Sequence, residues 1–122
     1  MRDIKKMPDS ELDIMMIIWN ADAPVTSDYI MEHLNKPWAK TTVLNFLNRL
    51  CEREFLTCSK DGRKNIYTPL IPKDDYLKKE SQNFLKKLHH NSLKSLIASL
   101  YDGEKLSKSD IDELKSLIEE AK

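Results

Sequence analysis

Apolar residues fall at helical spacing through most of this chain and give way to short β-favouring runs only between Phe55 and Leu70. Leu12, Met15, Met16 and Trp19, widened by Ile17 and Ile18, form the stripe of a first helix opened by Pro8-Asp9-Ser10. Ser10 is the expected N-cap, with Asp13 completing a capping box. Ala23-Pro24-Val25 interrupts the pattern, and Thr26 then caps a second helix reaching Leu34 through Tyr29, Ile30 and His33. After a turn at Asn35-Lys36-Pro37-Trp38, the segment WAKTTVLNFLNRL places Val43, Phe46, Leu47 and Leu50 on one side of a third helix.

The opposite side of that helix collects Thr41, Leu44, Asn45, Asn48 and Glu52, flanked by Thr42 and Arg49. Short hydrogen-bonding side chains of this kind meet base edges or phosphates, Arg49 reaches guanine or phosphate, and an exposed Leu44 suits a thymine methyl. On its own, this pattern also describes an amphipathic surface helix with a neutral polar face. The next segment of the chain favours the first, although a charged hairpin tip is by itself ordinary solvated turn chemistry. Phe55 to Ser59 and Asn65 to Leu70 are short β-favouring runs joined by Lys60, Asp61, Gly62, Arg63 and Lys64, in which Asp-Gly supplies the turn. Three of these five loop residues are basic, so the tip suits a phosphate backbone. Helix, short helix, turn, recognition helix and basic hairpin is the order of a winged helix-turn-helix.

Beyond Pro72 the hairpin signals stop, and three amphipathic helices are expected over Lys73 to His90, Ser92 to Tyr101 and Ser109 to Ala121. Their apolar faces are Leu77, Phe84 and Leu88, then Leu93, Leu96, Ile97 and Leu100, then Ile111, Leu114, Leu117 and Ile118. About fifty residues hardly bury three such stripes alone, so a second copy of the module is the expected cover, against the simpler alternative of folding back within a monomer. The expected fold is mainly α with a small β wing: a winged-helix domain over residues 1–72 and a helical dimerisation domain over residues 73–122.

Composition narrows the function further. The 122 residues carry no net formal charge, yet residues 9–32 hold six acids and no lysine or arginine, whereas residues 36–68 hold seven bases against Glu52, Glu54 and Asp61. Local excess is what a phosphate backbone feels within a Debye length of about 8 Å. So modest an excess makes pairing of two heads important for affinity. No apolar run is long enough to span a bilayer and Met1 to Lys6 leads into no signal segment, which predicts a cytoplasmic protein. Cys51 and Cys58 lack partners in zinc spacing and are expected as buried or half-buried thiols, and His89-His90 marks a helix end. No catalytic constellation, phosphate loop or metal motif is present, so neither an enzyme nor a cofactor is expected.

SELDIMMIIW, WAKTTVLNFLNRL, NIYTPL and SLIASLYDGEKLSKSDIDELKSLIEE together resemble the penicillinase-repressor family of winged-helix transcription factors, the BlaI/MecI/CopY group, over nearly the whole chain. The resemblance implies a homodimeric repressor that binds a palindromic operator and silences β-lactamase or penicillin-binding-protein genes. It assigns DNA contacts to Trp38, Thr41, Thr42, Leu44, Asn45 and Arg49, backbone contacts to Arg63 and Lys64 of the wing, and dimerisation to the C-terminal helices. It also implies inactivation by a membrane-bound sensor metalloprotease that, on β-lactam sensing, cuts an Asn-Phe bond; the aligned residues here are Ser99 and Leu100. Family members usually carry basic residues where this chain has Thr41 and Leu44, which implies a different operator sequence. The cysteine cluster of the copper-responsive branch is absent after Cys58. Two other readings stay open: a winged-helix adaptor that binds protein, and a repressor governed by a small ligand or by thiol redox at Cys51 and Cys58.

Overall fold

The computed structural model describes residues 4–121, and the chain divides into two compact units, one ending at Lys79 and the other beginning at Glu80. In the first unit the elements run α1 (Asp9–Ala21), β1 (Val25–Thr26), α2 (Ser27–His33), α3 (Lys40–Glu52), β2 (Leu56–Asp61) and β3 (Lys64–Pro69). Next come α4 (Lys73–His89), which runs through the boundary, and then α5 (Leu93–Asp102) and α6 (Lys108–Ala121). The fold is mainly helical with one small antiparallel sheet in the order β1-β3-β2, as the hydrophobic periods predict.

α1 begins two residues earlier than its capping signal. Pro8, extended at φ −58° and ψ 151°, is the N-cap, and its carbonyl accepts the Leu12 N–H at 2.9 Å. Ser10 therefore lies inside the first turn and caps nothing, so the Ser10/Asp13 box does not form. The fixed φ of proline already suits a helix start, and Asp9 and Glu11 complement the helix dipole there. The buried face is also rotated from the expected stripe: Glu11, Ile14, Met15 and Ile18 point inward, while Leu12, Met16, Ile17 and Trp19 are half-buried. Trp19 stays at the rim because its indole N–H needs an acceptor, which it finds in the Ile71 carbonyl at 3.0 Å.

Thr26 caps α2 as expected, its hydroxyl accepting the Tyr29 N–H at 3.1 Å. Val25 and Thr26, however, are also a short strand paired with Tyr67 and Ile66 rather than a mere interruption. α3 buries Val43, Leu47 and Leu50 completely. Phe46 departs from that set: it is half-buried, and its ring meets Trp38 edge-on at 5.3 Å between centroids. At the end of α3, Glu54 takes φ 65° while Phe55 N–H reaches the Leu50 carbonyl and Glu54 N–H the Cys51 carbonyl, a Schellman closure that turns the chain into the hairpin. Both hairpin strands reach further toward the turn than expected and pair through Asp61 and Lys64, leaving a two-residue tip, Gly62-Arg63. Gly62 alone has positive φ (66°), the requirement at the first central position of a type II′ turn.

The three helices and the sheet converge on one core, built around Met15, Ile30, Leu47, Phe55 and Tyr67. The first turn of α4 belongs to it. Tyr76 is buried, its hydroxyl accepts the Met7 N–H at 2.9 Å, and its ring lies 5.7 Å from Trp19 and 6.2 Å from Phe55. For this reason the compact unit closes within α4 rather than at Pro72.

In the second unit Ser92 caps α5 by accepting the Ser95 N–H, and Ser107 and Asp110 cap α6 reciprocally at 3.1 and 3.0 Å. Neither α5 nor α6 has a buried residue. Leu93, Tyr101, Leu117 and Ile118 are each more than half exposed.

Candidate nucleic-acid interface

The outward face of α3 exposes Thr41, Asn45, Asn48 and Arg49 together, with Thr42 half-buried beside them. Its tether to the core is strong at both ends. Near its C-terminal end, Arg53 donates to Glu11 at 2.8 Å, and the Glu11 side chain, on α1, is only 2% exposed. Toward its N-terminal end, Trp38 packs on Phe46, and the guanidinium of the exposed Arg49 lies 5.8 Å from the same ring in a cation-π contact.

Leu44 differs from its expected state. It is half-buried, packed against the core on one side and lining a cleft of about 220 Å³ on the other. That cleft joins α3 to the wing, with Lys40, Leu44, Arg63, Lys64 and Asn65 along its walls and Asp28 of α2 at its edge. Lys40 Nζ is 2.8 Å from Asp28 Oδ1. This hydrogen bond first, then the charge of Lys40 and that of Lys64, holds the Asp28 carboxyl below the usual aspartate range. A second lysine of the helix-turn-helix bend, Lys36, lies 3.9 Å from Asp13 of α1. By contrast, Arg63 and Lys64 make no salt bridge within 4.0 Å among the described residues. Both side chains are exposed beside the cleft.

The helical pattern singles out neither Lys40 nor Asp28. Lys40 is the first residue of α3, directly before Thr41, and is visible in the sequence as a base at the start of the recognition helix. Asp28 carries no such signal, because its pairing with a residue twelve positions away depends on how α2 crosses α3. The cysteines also separate. Cys51 is half-buried, with burial chiefly pushing its thiol pKa up, whereas Cys58 is exposed on β2 rather than tucked in, since only Leu56 of that strand faces the core. Among the described residues no group of three histidine, cysteine or acidic side chains is placed to hold a metal ion. No helix among them is long and apolar enough to cross a membrane.

The model of the penicillinase repressor family matches residues 7–120. The chain belongs to that family. Among the relatives of this family member, the penicillinase repressor of Bacillus licheniformis is 33% identical over all of this chain and 96% of that protein. The methicillin resistance regulatory protein MecI of Staphylococcus aureus is 27% identical over 93% of each chain. Among solved structures, the DNA-binding domain of the repressor BlaI matches with a TM-score of 0.54 and 31% identity, over 62% of this chain and 94% of that one. The monomeric form of Bacillus licheniformis BlaI in complex with the blaP half-operator matches with a TM-score of 0.53, at the same identity and coverage. This family member thus has the winged-helix fold of a repressor's DNA-binding domain.

Proposed function

We propose that this member of the penicillinase repressor family is a homodimer that binds a palindromic operator and represses β-lactamase or penicillin-binding-protein genes. The observation that carries the reading is the face formed by Thr41, Asn45, Asn48 and Arg49, set beside the wing cations Arg63 and Lys64 in a fold matched by a BlaI chain bound to its half-operator. In this reading α3 enters the major groove, Thr41, Asn45, Asn48 and Arg49 meet base edges, Trp38, Thr42 and Leu44 frame them, and Arg63 and Lys64 follow the phosphates.

The helices from α4 onward, beyond the α4 turn that docks on the N-terminal core through Tyr76, serve as the clasp in this reading. Its support is the row of exposed apolar side chains, Leu77, Phe84, Leu88, Leu93, Leu117 and Ile118, on helices whose half-buried partners Leu96, Ile97, Leu100, Ile111 and Leu114 leave the stripes uncovered. A second copy covers such a surface at the lowest cost. Two joined heads then read half-sites separated by about one or two helical turns of roughly 34–36 Å, and the second contact becomes intramolecular.

Induction follows by cutting the clasp. A membrane-bound sensor metalloprotease, triggered by β-lactams, acts near Ser99 and Leu100 in α5. Ser99 is exposed and Leu100 half-buried. A protease needs extended backbone, and a ten-residue helix with no buried residue opens locally at small cost. The test is a footprint on the promoter upstream of the protein's own gene, repeated as salt rises. Protection of an inverted repeat that fades steeply with salt is expected. Absence of protection at low ionic strength would refute the reading, and an unbroken chain after β-lactam exposure of the cells would refute the proteolytic step alone.

A further inference from the structure

The pairing of Lys40 with Asp28 leaves a carboxylate at the edge of the cleft that joins the recognition helix to the wing. Both side chains are about half exposed, 53% and 55%, so the pair adds little to stability. Its effect on a polyanion is larger. Of the three cations along this cleft, Lys40, Arg63 and Lys64, one is held by an acid and two make no salt bridge among the described residues. A carboxylate only accepts hydrogen bonds, so it has no favourable contact to offer a phosphate and repels one that approaches. Lys64 lines the same cleft as Asp28, and its charge adds to that of Lys40 in holding the carboxyl below the usual aspartate range.

We infer that Asp28 is a specificity-determining residue, a latch that withholds the Lys40 ammonium from randomly placed DNA phosphates and yields it when the bound sequence fixes a phosphate over the cleft. The inference rests on the DNA-binding reading above. A sequence that satisfies the outer face of α3 holds its backbone in one register, so one phosphate competes persistently for Lys40. On random sequence no register persists, and each transient phosphate meets the latched pair. Asp28 thereby lowers nonspecific affinity more than operator affinity, which widens the ratio that governs site selection.

The test compares full-length wild type, Asp28→Asn, Lys40→Gln and the double variant on two duplexes, the inverted repeat of the protein's own promoter and a random sequence of equal length. Tryptophan fluorescence confirms that each variant is folded. Asp28→Asn is expected to bind the random duplex severalfold tighter at about 50 mM salt, with a log-log salt slope steeper by about 0.9, so that its affinity falls about threefold further than wild type by about 200 mM. Its gain on the inverted repeat should be smaller, and most of the random-duplex gain should vanish in the Lys40→Gln background. An unchanged random-duplex affinity and slope for Asp28→Asn would overturn the inference, and so would an equal gain with Lys40 absent, while wild-type binding to the inverted repeat would leave the repressor reading standing. Failure of every variant and of wild type to bind either duplex would refute both.

Discussion

Arg53→Ala separates the structural anchor of the recognition helix from its reading face. Arg53 Nη1 donates to Glu11 Oε1 at 2.8 Å, and the arginine side chain is 46% exposed while that of Glu11 is 2% exposed. Removing the guanidinium strands a carboxylate between α1 and α3. Breaking a fully buried pair costs about 3–5 kcal/mol. Here one partner already faces water, which enters the space vacated, so the loss falls toward the value of a single charge-assisted hydrogen bond, about 1.5–3 kcal/mol. For a domain of this size that corresponds to a melting temperature lower by roughly 10–20 °C. Both tryptophans, Trp19 and Trp38, belong to the N-terminal unit, so urea unfolding followed by their fluorescence reports on that unit alone. The double variant Glu11→Leu, Arg53→Met should recover most of the loss, because no charge is left stranded. An Arg53→Ala variant within about 0.5 kcal/mol of wild type would refute the assignment of this pair as the α1–α3 anchor.

Tyr76→Phe leaves the Met7 N–H without its buried acceptor and should lower the stability of the N-terminal unit by about 1–3 kcal/mol in the same urea assay; no change would remove Tyr76 from its role in closing that unit. The double variant Arg63→Ala, Lys64→Ala should weaken binding to all duplexes alike and flatten the log-log salt slope by up to about 1.8, measured by fluorescence anisotropy, whereas a loss confined to one sequence would count against backbone contact by the wing. Leu117→Asp, at a side chain 61% exposed in α6, should shift sedimentation from dimer to monomer without moving the tryptophan unfolding midpoint; an unaltered sedimentation profile would show that this face is not the clasp.

The features legible in the chain are local ones. The helical period locates every long helix, and cap and turn chemistry locate the Thr26 cap and the basic hairpin, because each depends on residues a few positions apart. The misses share a different cause. β1 is two residues long and exists only because Val25 and Thr26 meet Tyr67 and Ile66, far along the chain. The rotation of the α1 face reflects the burial of Glu11, which local hydrophobicity argues against and which Arg53 makes tolerable. Phe46 satisfies the helical stripe by position, yet it is only half-buried against the core, meeting Trp38 and Arg49 at the rim. The unit boundary lies inside α4 because one tyrosine docks on Trp19 and Phe55. At the interface, the exposed polar row of α3 is legible from spacing alone, while the Lys40–Asp28 latch is not, since it depends on the crossing of two helices.

In the repressor proposed here, two heads joined through their C-terminal modules read one symmetric site. The most direct test is the affinity of the full chain for the complete inverted repeat of its own promoter against a duplex of equal length carrying a single half-site, with the stoichiometry of each complex weighed by ultracentrifugation. Two chains are expected on the complete repeat, with an affinity at least about a hundredfold above that for the half-site, from effective concentration alone. Equal affinities, with one chain on each duplex, would contradict it.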